Sequence, residues 1–456
     1  MLQNQSFRNF FRISVSYWLL VPSVLYETIP WLSYRVRAIV PFGFVMLWMF
    51  VNVHLIMQKF NTREGRVFRG MFFWFVCLTV LPEVFAIFGT HNHMTYNNIA
   101  GAATQIVYLV LAFYTIAARK FNELRFLTII SLVGFVIAGI SALKGYNIEG
   151  MESGRTMVLS QMEGVTLAML EGALIVMDSG LGGYGYIYVC AWVTGIVLIS
   201  IALTRSFRLR LFYGIVGLSS LLSVKMGGLG TPVAIVAIEF ALFACWVITM
   251  SRKILLILGV CLIVVFFIYA STPSIFGFLA PPFEELAESM SDGSIKDRIM
   301  SLADAFRGVD SYAQGRAQMQ MKSFWAFCKH PFLGVFGPVA GGSYLDLGGH
   351  SYLLDLIGGY GLLGLSVFVM FIRGLMKYFN VISSLYFGNR WKVLPVFYVV
   401  IFIFSGIMNP VTFFANVVYL LPGLAYLSLR QEDMPMPPHN MLPPHLPIYV
   451  SVYGRS

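Results

Sequence analysis

A chain of 456 residues that is 58% hydrophobic and 11% charged, with mean hydropathy +0.76, is too apolar for a soluble domain, which carries about 25% charged residues. Transmembrane β-barrels alternate apolar and polar positions and lack long apolar runs, so the composition leaves an all-α, polytopic membrane protein. The net charge of +10 does not point to nucleic acid, because the Lys and Arg residues fall in short clusters between apolar runs, as topology determinants do.

Apolar windows long enough to cross a bilayer, about 20 residues each, fall in chain order at 13–30, 36–57, 70–89, 99–118, 124–143, 183–204, 209–226, 229–249, 253–273, 350–372, 391–408 and 411–429. The first follows Arg8 and Arg12, contains Pro22, Glu27 and Pro30 and has no small-residue cleavage site, so it reads as a span and not as a removable signal. A further window, 158–178, carries Gln161, Glu163, Glu171 and Asp178, which are costly in hydrocarbon unless they line protein or water. Counting it as a span would put the cluster Arg119, Lys120, Arg125 and the cluster Arg205, Arg208, Arg210 on opposite sides. It is therefore expected to be a re-entrant or surface-lying helix on the outer face. Twelve spans remain, with both termini cytoplasmic. Lys59 to Arg69, Arg252 with Lys253, Arg373 with Lys377, and Arg390 with Lys392 then all lie inside, whereas Arg35 and Arg37 fall outside.

The chain thus divides into spans 1–9 over 1–273, a large periplasmic loop at 274–349, spans 10–12 over 350–430, and a disordered cytoplasmic tail at 431–456, rich in Pro and Met. A loop of that size is too long for a connector. Within it, the stretch from Asp310 to Phe327 predicts a helix, stopped by His330-Pro331 and followed by a glycine-rich return from Gly334 to Gly349. Neither a tandem repeat nor a matching pair of interrupted helices appears, which would have favoured a transporter.

Four outward-facing residues stand out. His350 lies where the longest polar segment enters a span. A helix N-terminus disfavours imidazolium and keeps the ring neutral near pH 7, although an arriving phosphate would push the other way. General base and structural hydrogen-bonder are both open readings, with a metal role behind them. Arg316 and Arg155 can each grip phosphate with two parallel hydrogen bonds; the plainer reading is solvation or pairing with Asp304 or Asp310. Lys225, between two apolar windows, is either snorkelling to the interface or a substrate contact. Gly358, Gly359, Gly361 and Gly364 read as close-packing positions, and Glu163, Glu171, Glu239 and Asp355, acidic groups in apolar surroundings, each as a carboxyl paired with a buried donor. Four of the five cysteines (Cys77, Cys190, Cys245, Cys261) lie in apolar segments and Cys328 in the polar loop. Their spacing implies neither a disulfide framework nor a metal site. No Walker A loop, HExxH or DxD-type element is present, so no metal or nucleotide cofactor is expected.

Gly315-Arg316, His330-Pro331-Phe-Leu-Gly334-Val, Gly349-His350-Ser-Tyr-Leu-Leu and Gly361-Leu-Leu-Gly364-Leu, in that order, resemble the carboxy-terminal signature of the O-antigen polymerase and O-antigen ligase superfamily. The resemblance covers 315–372 in detail, and twelve spans with a late periplasmic loop agree with it. Gly154-Arg155 through Gly164 is similar to that family's earlier outward loop. Ser351 stands where the family usually has Asn, the Asn-Pro-Asn-like element of its early helix is absent, and Ser223-Val-Lys225 replaces a Ser-Arg between its middle spans.

What the resemblance implies is a cofactor-free glycosyltransferase in a bacterial inner membrane, with its active site facing the periplasm. It would act on an undecaprenyl-diphosphate-linked oligosaccharide, within membrane lipid, and a chain-length regulator is a further candidate partner. His350 would activate the acceptor hydroxyl, while Arg316 and Arg155 would bind the diphosphate, with Lys225 as a substitute cation. Polymerase is the first expectation. A ligase passing the glycan to lipid A core or another acceptor is the second, and a transporter or flippase of an amphipathic anion the third.

Overall fold

A main chain in hydrocarbon must satisfy its own hydrogen bonds, and long apolar runs do so as helices. The structure, a computed structural model, describes residues 13–30, 32, 39–88, 96–145, 184–227, 230–271, 273–290, 294–309, 312–335, 347–348, 351–409 and 415–429. All regular structure among them is helical. Eight stretches among the described residues are long and apolar enough to cross a membrane: Phe42–Lys59, Phe121–Leu143, Gly185–Leu203, Phe207–Met226, Thr231–Thr249, Arg252–Tyr269, Tyr352–Phe387 and Asn389–Met408.

The first window is not one continuous helix. It holds α1 (Val15–Trp18) and α2 (Val21–Thr28), joined by a turn at Leu19-Leu20. Pro22, in the first turn of α2, starts a new helix where its missing N–H is not needed. Then come α3 (Ile39–Lys59), α4 (Arg63–Phe88), α5 (Tyr96–Ala117), α6 (Phe121–Gly145), α7 (Tyr184–Leu203), α8 (Phe207–Met226), α9 (Gly230–Thr249) and α10 (Arg252–Ser271). α4 begins ahead of its apolar window because Thr62 Oγ1 accepts the Gly65 N–H at 3.1 Å and caps the helix in its charged stretch.

The long loop holds more helix than its sequence predicts. A 3₁₀ turn at Pro273–Leu279 leads to α11 (Ala280–Glu288), α12 (Ser294–Phe306) and α13 (Tyr312–Lys329). The first two pair over a small core of Ala280, Ala303 and Phe306, with an ion pair between Arg307 and Glu284 at its edge. α14 (Tyr352–Ile382) is followed by a π-helical turn at Ser383–Phe387, a 3₁₀ turn at Asn389–Lys392, α15 (Val393–Met408) and α16 (Ala415–Ser428). The helix expected near 158–178 and the tail 431–456 lie outside the described residues.

Among these eight stretches, those in α15 and α7 are the most buried and those in α3 and α10 the least. Outward-facing Phe50, Val51, Ile257 and Val260 are exposed, the surface a bilayer would cover. Inside, helices approach through small residues: Gly139 rests on Ser219, Gly423 on Thr128 and Gly259 on Val400. Trp192 Nε1 donates to Ser405 Oγ at 3.0 Å and ties α7 to α15.

α4 and α14 run antiparallel in a register marked by Phe75 beside Phe371 (ring centroids 5.4 Å apart), Gly374 against Met71, and Phe68 beside Tyr378 (5.6 Å). The carboxylate of Glu64 closes the series by accepting a hydrogen bond from Tyr386 Oη at 2.8 Å.

Candidate functional site

Two features at the start of α14 shape the candidate site: a break in the helix and a buried polar clamp. Gly361 has φ 61° and ψ −147°, a backbone state open essentially to glycine alone. It lies nine residues, about 14 Å of helical rise, below Tyr352. The break frees main-chain groups that would be costly at membrane depth unless protein takes them up. The bend after α13 does so. Leu362 and Leu363 donate to the carbonyls of Pro331 (2.7 Å) and Phe332 (3.4 Å), and Val335 donates to the carbonyl of Gly358 (3.0 Å). Gly334, at φ 64°, lets the bend lie directly on Gly358 and Gly359. The His330-Pro331-x-x-Gly334 element and the glycine-rich helix are thus two halves of one joint.

The clamp lies one to three turns above it. Asp355 is buried, and each carboxylate oxygen accepts a hydrogen bond: Oδ1 from Ser323 Oγ of α13, and Oδ2 from the Ser351 N–H at 3.1 Å. Ser351 caps α14, its Oγ accepting from the Leu354 N–H at 3.1 Å and donating to the carbonyl of Gly406 at 3.0 Å. This is a capping box displaced by one residue, with the acidic partner at the fourth helical position and not the third. Ser323 Oγ in turn accepts from the Gly348 N–H at 2.8 Å, and a Cβ on Gly348 would fall on the Met319 carbonyl. The end of α15 joins in. Gln320 Nε2 donates to the carbonyls of Met408 (2.8 Å) and Ile407 (3.3 Å), and the Tyr352 N–H donates to that of Asn409 (3.0 Å).

Of the four predicted site residues, Arg316 and Lys225 lie among the described residues. Arg316 is in α13, four residues ahead of Gln320, and its side chain lies outside what the structure describes. His350 and Arg155 are outside the described residues. The neighbours that bracket residues 349–350, Gly348 and Ser351, are both bonded into the clamp. Lys225 is exposed in the last turn of α8, which packs against α6 and α7 and contributes nothing to the clamp.

Ser323, Gln320 and Gly348 did not stand out in the sequence, and Ser351 did so only as a departure from the family signature. The one available signal was Ser351 with Asp355 four residues on, a near-miss of the usual capping spacing.

The fold and this site define a polytopic α-helical membrane protein with a polar, protein-filled joint where a loop helix meets a broken span. A scan against protein-family models finds no match, and no curated protein sequence matches the chain.

Proposed function

We propose that this protein is a metal-independent membrane glycosyltransferase, polymerising undecaprenyl-diphosphate-linked oligosaccharide repeats into a bacterial surface polysaccharide. In this reading the chain crosses the inner membrane twelve times and works on its periplasmic side. His350, as neutral imidazole, takes the proton of the attacking sugar hydroxyl. Departure of the lipid diphosphate from the anomeric carbon builds negative charge on phosphate oxygens. The guanidinium groups of Arg316 and Arg155, with Lys225 as a further cation, stabilise that charge more in the transition state than in the ground state.

The observation that carries the reading is the clamp. A base and an anion-binding group that act on one bond need rigidly joined carriers. The chain on both sides of His350 is bonded to Asp355 and Ser323, and Gly348 rests on Met319, three residues along α13 from Arg316. A ligase would use the same groups with another acceptor. A transporter reading gains little from the broken helix, because the chain's own bend engages the main-chain groups that would otherwise line a path.

The test gives the purified full chain lipid-linked repeats alone and follows the product on a gel. The expected result is lengthening of the lipid-linked product, reduced at least about 100-fold in His350→Ala and in Arg316→Ala. Unchanged ladders from both variants overturn the assignment, and strict dependence on a second acceptor makes the enzyme a ligase.

A further inference from the structure

At the opposite end of α14, a cleft of about 560 Å³ is lined by four cations drawn from three elements: Arg63 of α4, Arg373 and Lys377 of α14, and Lys392 of the 3₁₀ turn before α15. No carboxylate lines it, and none of the four forms an ion pair among the described residues. The adjacent acid, Glu64, is engaged by Tyr386 instead. Arg373 and Lys377 are four residues apart on one helix face, a like-charge spacing that disfavours the helix unless an anion sits between them. Gly388, at φ 87°, reverses the chain after the π-helical turn, and the 3₁₀ turn that follows carries Lys392 to the cleft.

From this geometry we infer that the cleft binds the phosphate headgroup of an anionic phospholipid. The site is separate from the one proposed for catalysis and does not depend on it.

The cleft is built for an amphiphile. Met376, Val381 and Leu385 form an apolar wall beside the cations. The α14 stripe bearing Arg373 and Lys377 continues towards the middle of the helix as exposed Val369 and Met370, at the three- and four-residue spacing of one face. A phosphate held by the cations would leave its acyl chains lying along that apolar stripe. The face also carries Lys59, Arg66 and Arg69, as expected for the leaflet rich in anionic lipid. An inorganic phosphate would use the same cations and gain nothing from the apolar wall.

The experiment uses the full chain in nonionic detergent. Its unfolding temperature is followed as phosphatidylglycerol, phosphatidylcholine or inorganic phosphate is titrated in. Saturable stabilisation by phosphatidylglycerol alone is expected. In the double variant Arg373→Gln/Lys377→Gln, half-saturation should weaken by about 30-fold, the effect of two charges at a membrane surface. Arg373→Lys/Lys377→Arg should bind like the parent, which separates charge from misfolding. The double variant Arg66→Gln/Arg69→Gln, which removes two charges from the same face outside the cleft, should also bind like the parent. Equal weakening by both glutamine pairs overturns the proposal in favour of diffuse surface charge. Equal stabilisation by phosphatidylcholine overturns it as well. Full stabilisation by inorganic phosphate, with nothing added by phosphatidylglycerol, reassigns the cleft to a free anion.

Discussion

The two ends of α14 solve opposite problems with one helix. At its start the polar groups are buried and engaged, with Asp355, Ser351 and Ser323 all within a closed set of hydrogen bonds. At its far end the polar groups are exposed cations around open space, and what holds the helix in place is aromatic packing against α4. Buried polar networks lose heavily when one member is removed, because each orphaned group keeps its desolvation penalty. Exposed charges lose little. The contrast teaches that the first half of α14 is a structural joint and the last turns are a surface free to serve a ligand.

Five variants test that contrast, the largest effect first. Gly361→Leu should be the most damaging, since it forces a side chain into a backbone state reserved for glycine and against the backbone of Phe332. An unfolding titration in detergent should register a loss of about 3 kcal/mol or more, and a parent-like midpoint would mean that the joint is not rigid. Asp355→Ala strands the Ser323 hydroxyl and the Ser351 N–H and should lose about 2 to 4 kcal/mol in the same assay. Ser323→Ala should lose less, because Asp355 keeps its bond to the Ser351 N–H. On the other half, Tyr386→Phe removes one partly exposed hydrogen bond to Glu64 and should shift stability by about 1 kcal/mol or less. Smallest of all, Arg373→Gln/Lys377→Gln in lipid-free detergent should leave the midpoint where it is; a large loss there would show that the far end is load-sharing structure and erase the distinction.

The helical class, the long spans and α13 with its stop at His330-Pro331 were legible from periodicity and from Pro and Gly placement. The break at Gly361 was not. A glycine-rich apolar helix reads as a packing face, and the positive φ becomes apparent only when the bend at 331–335 is laid against it. Nor was the true length of α14. Arg373 and Lys377 look like the edge of a span, yet both are exposed and the buried face beneath them continues through Leu375, Tyr378 and Phe379 to Ile382. The clamp was half legible: Asp355 invited a buried partner, but Ser323 lies 32 residues away and nothing in local spacing links the two. Of the residues chosen for chemistry, Arg316 falls on the helix that builds the clamp and Lys225 on one that does not, since sequence assigns a residue to a side of the membrane and not to a neighbour.

The joint at Gly361 is sealed by main-chain atoms, while Phe332, Leu333, Leu362 and Leu363 around it are exposed. Carbonyls and amides pair alike whatever side chains project from them. The rim of this joint can therefore drift freely among apolar residues, adapting to bilayers of different thickness or fluidity, while the seam beneath keeps its shape.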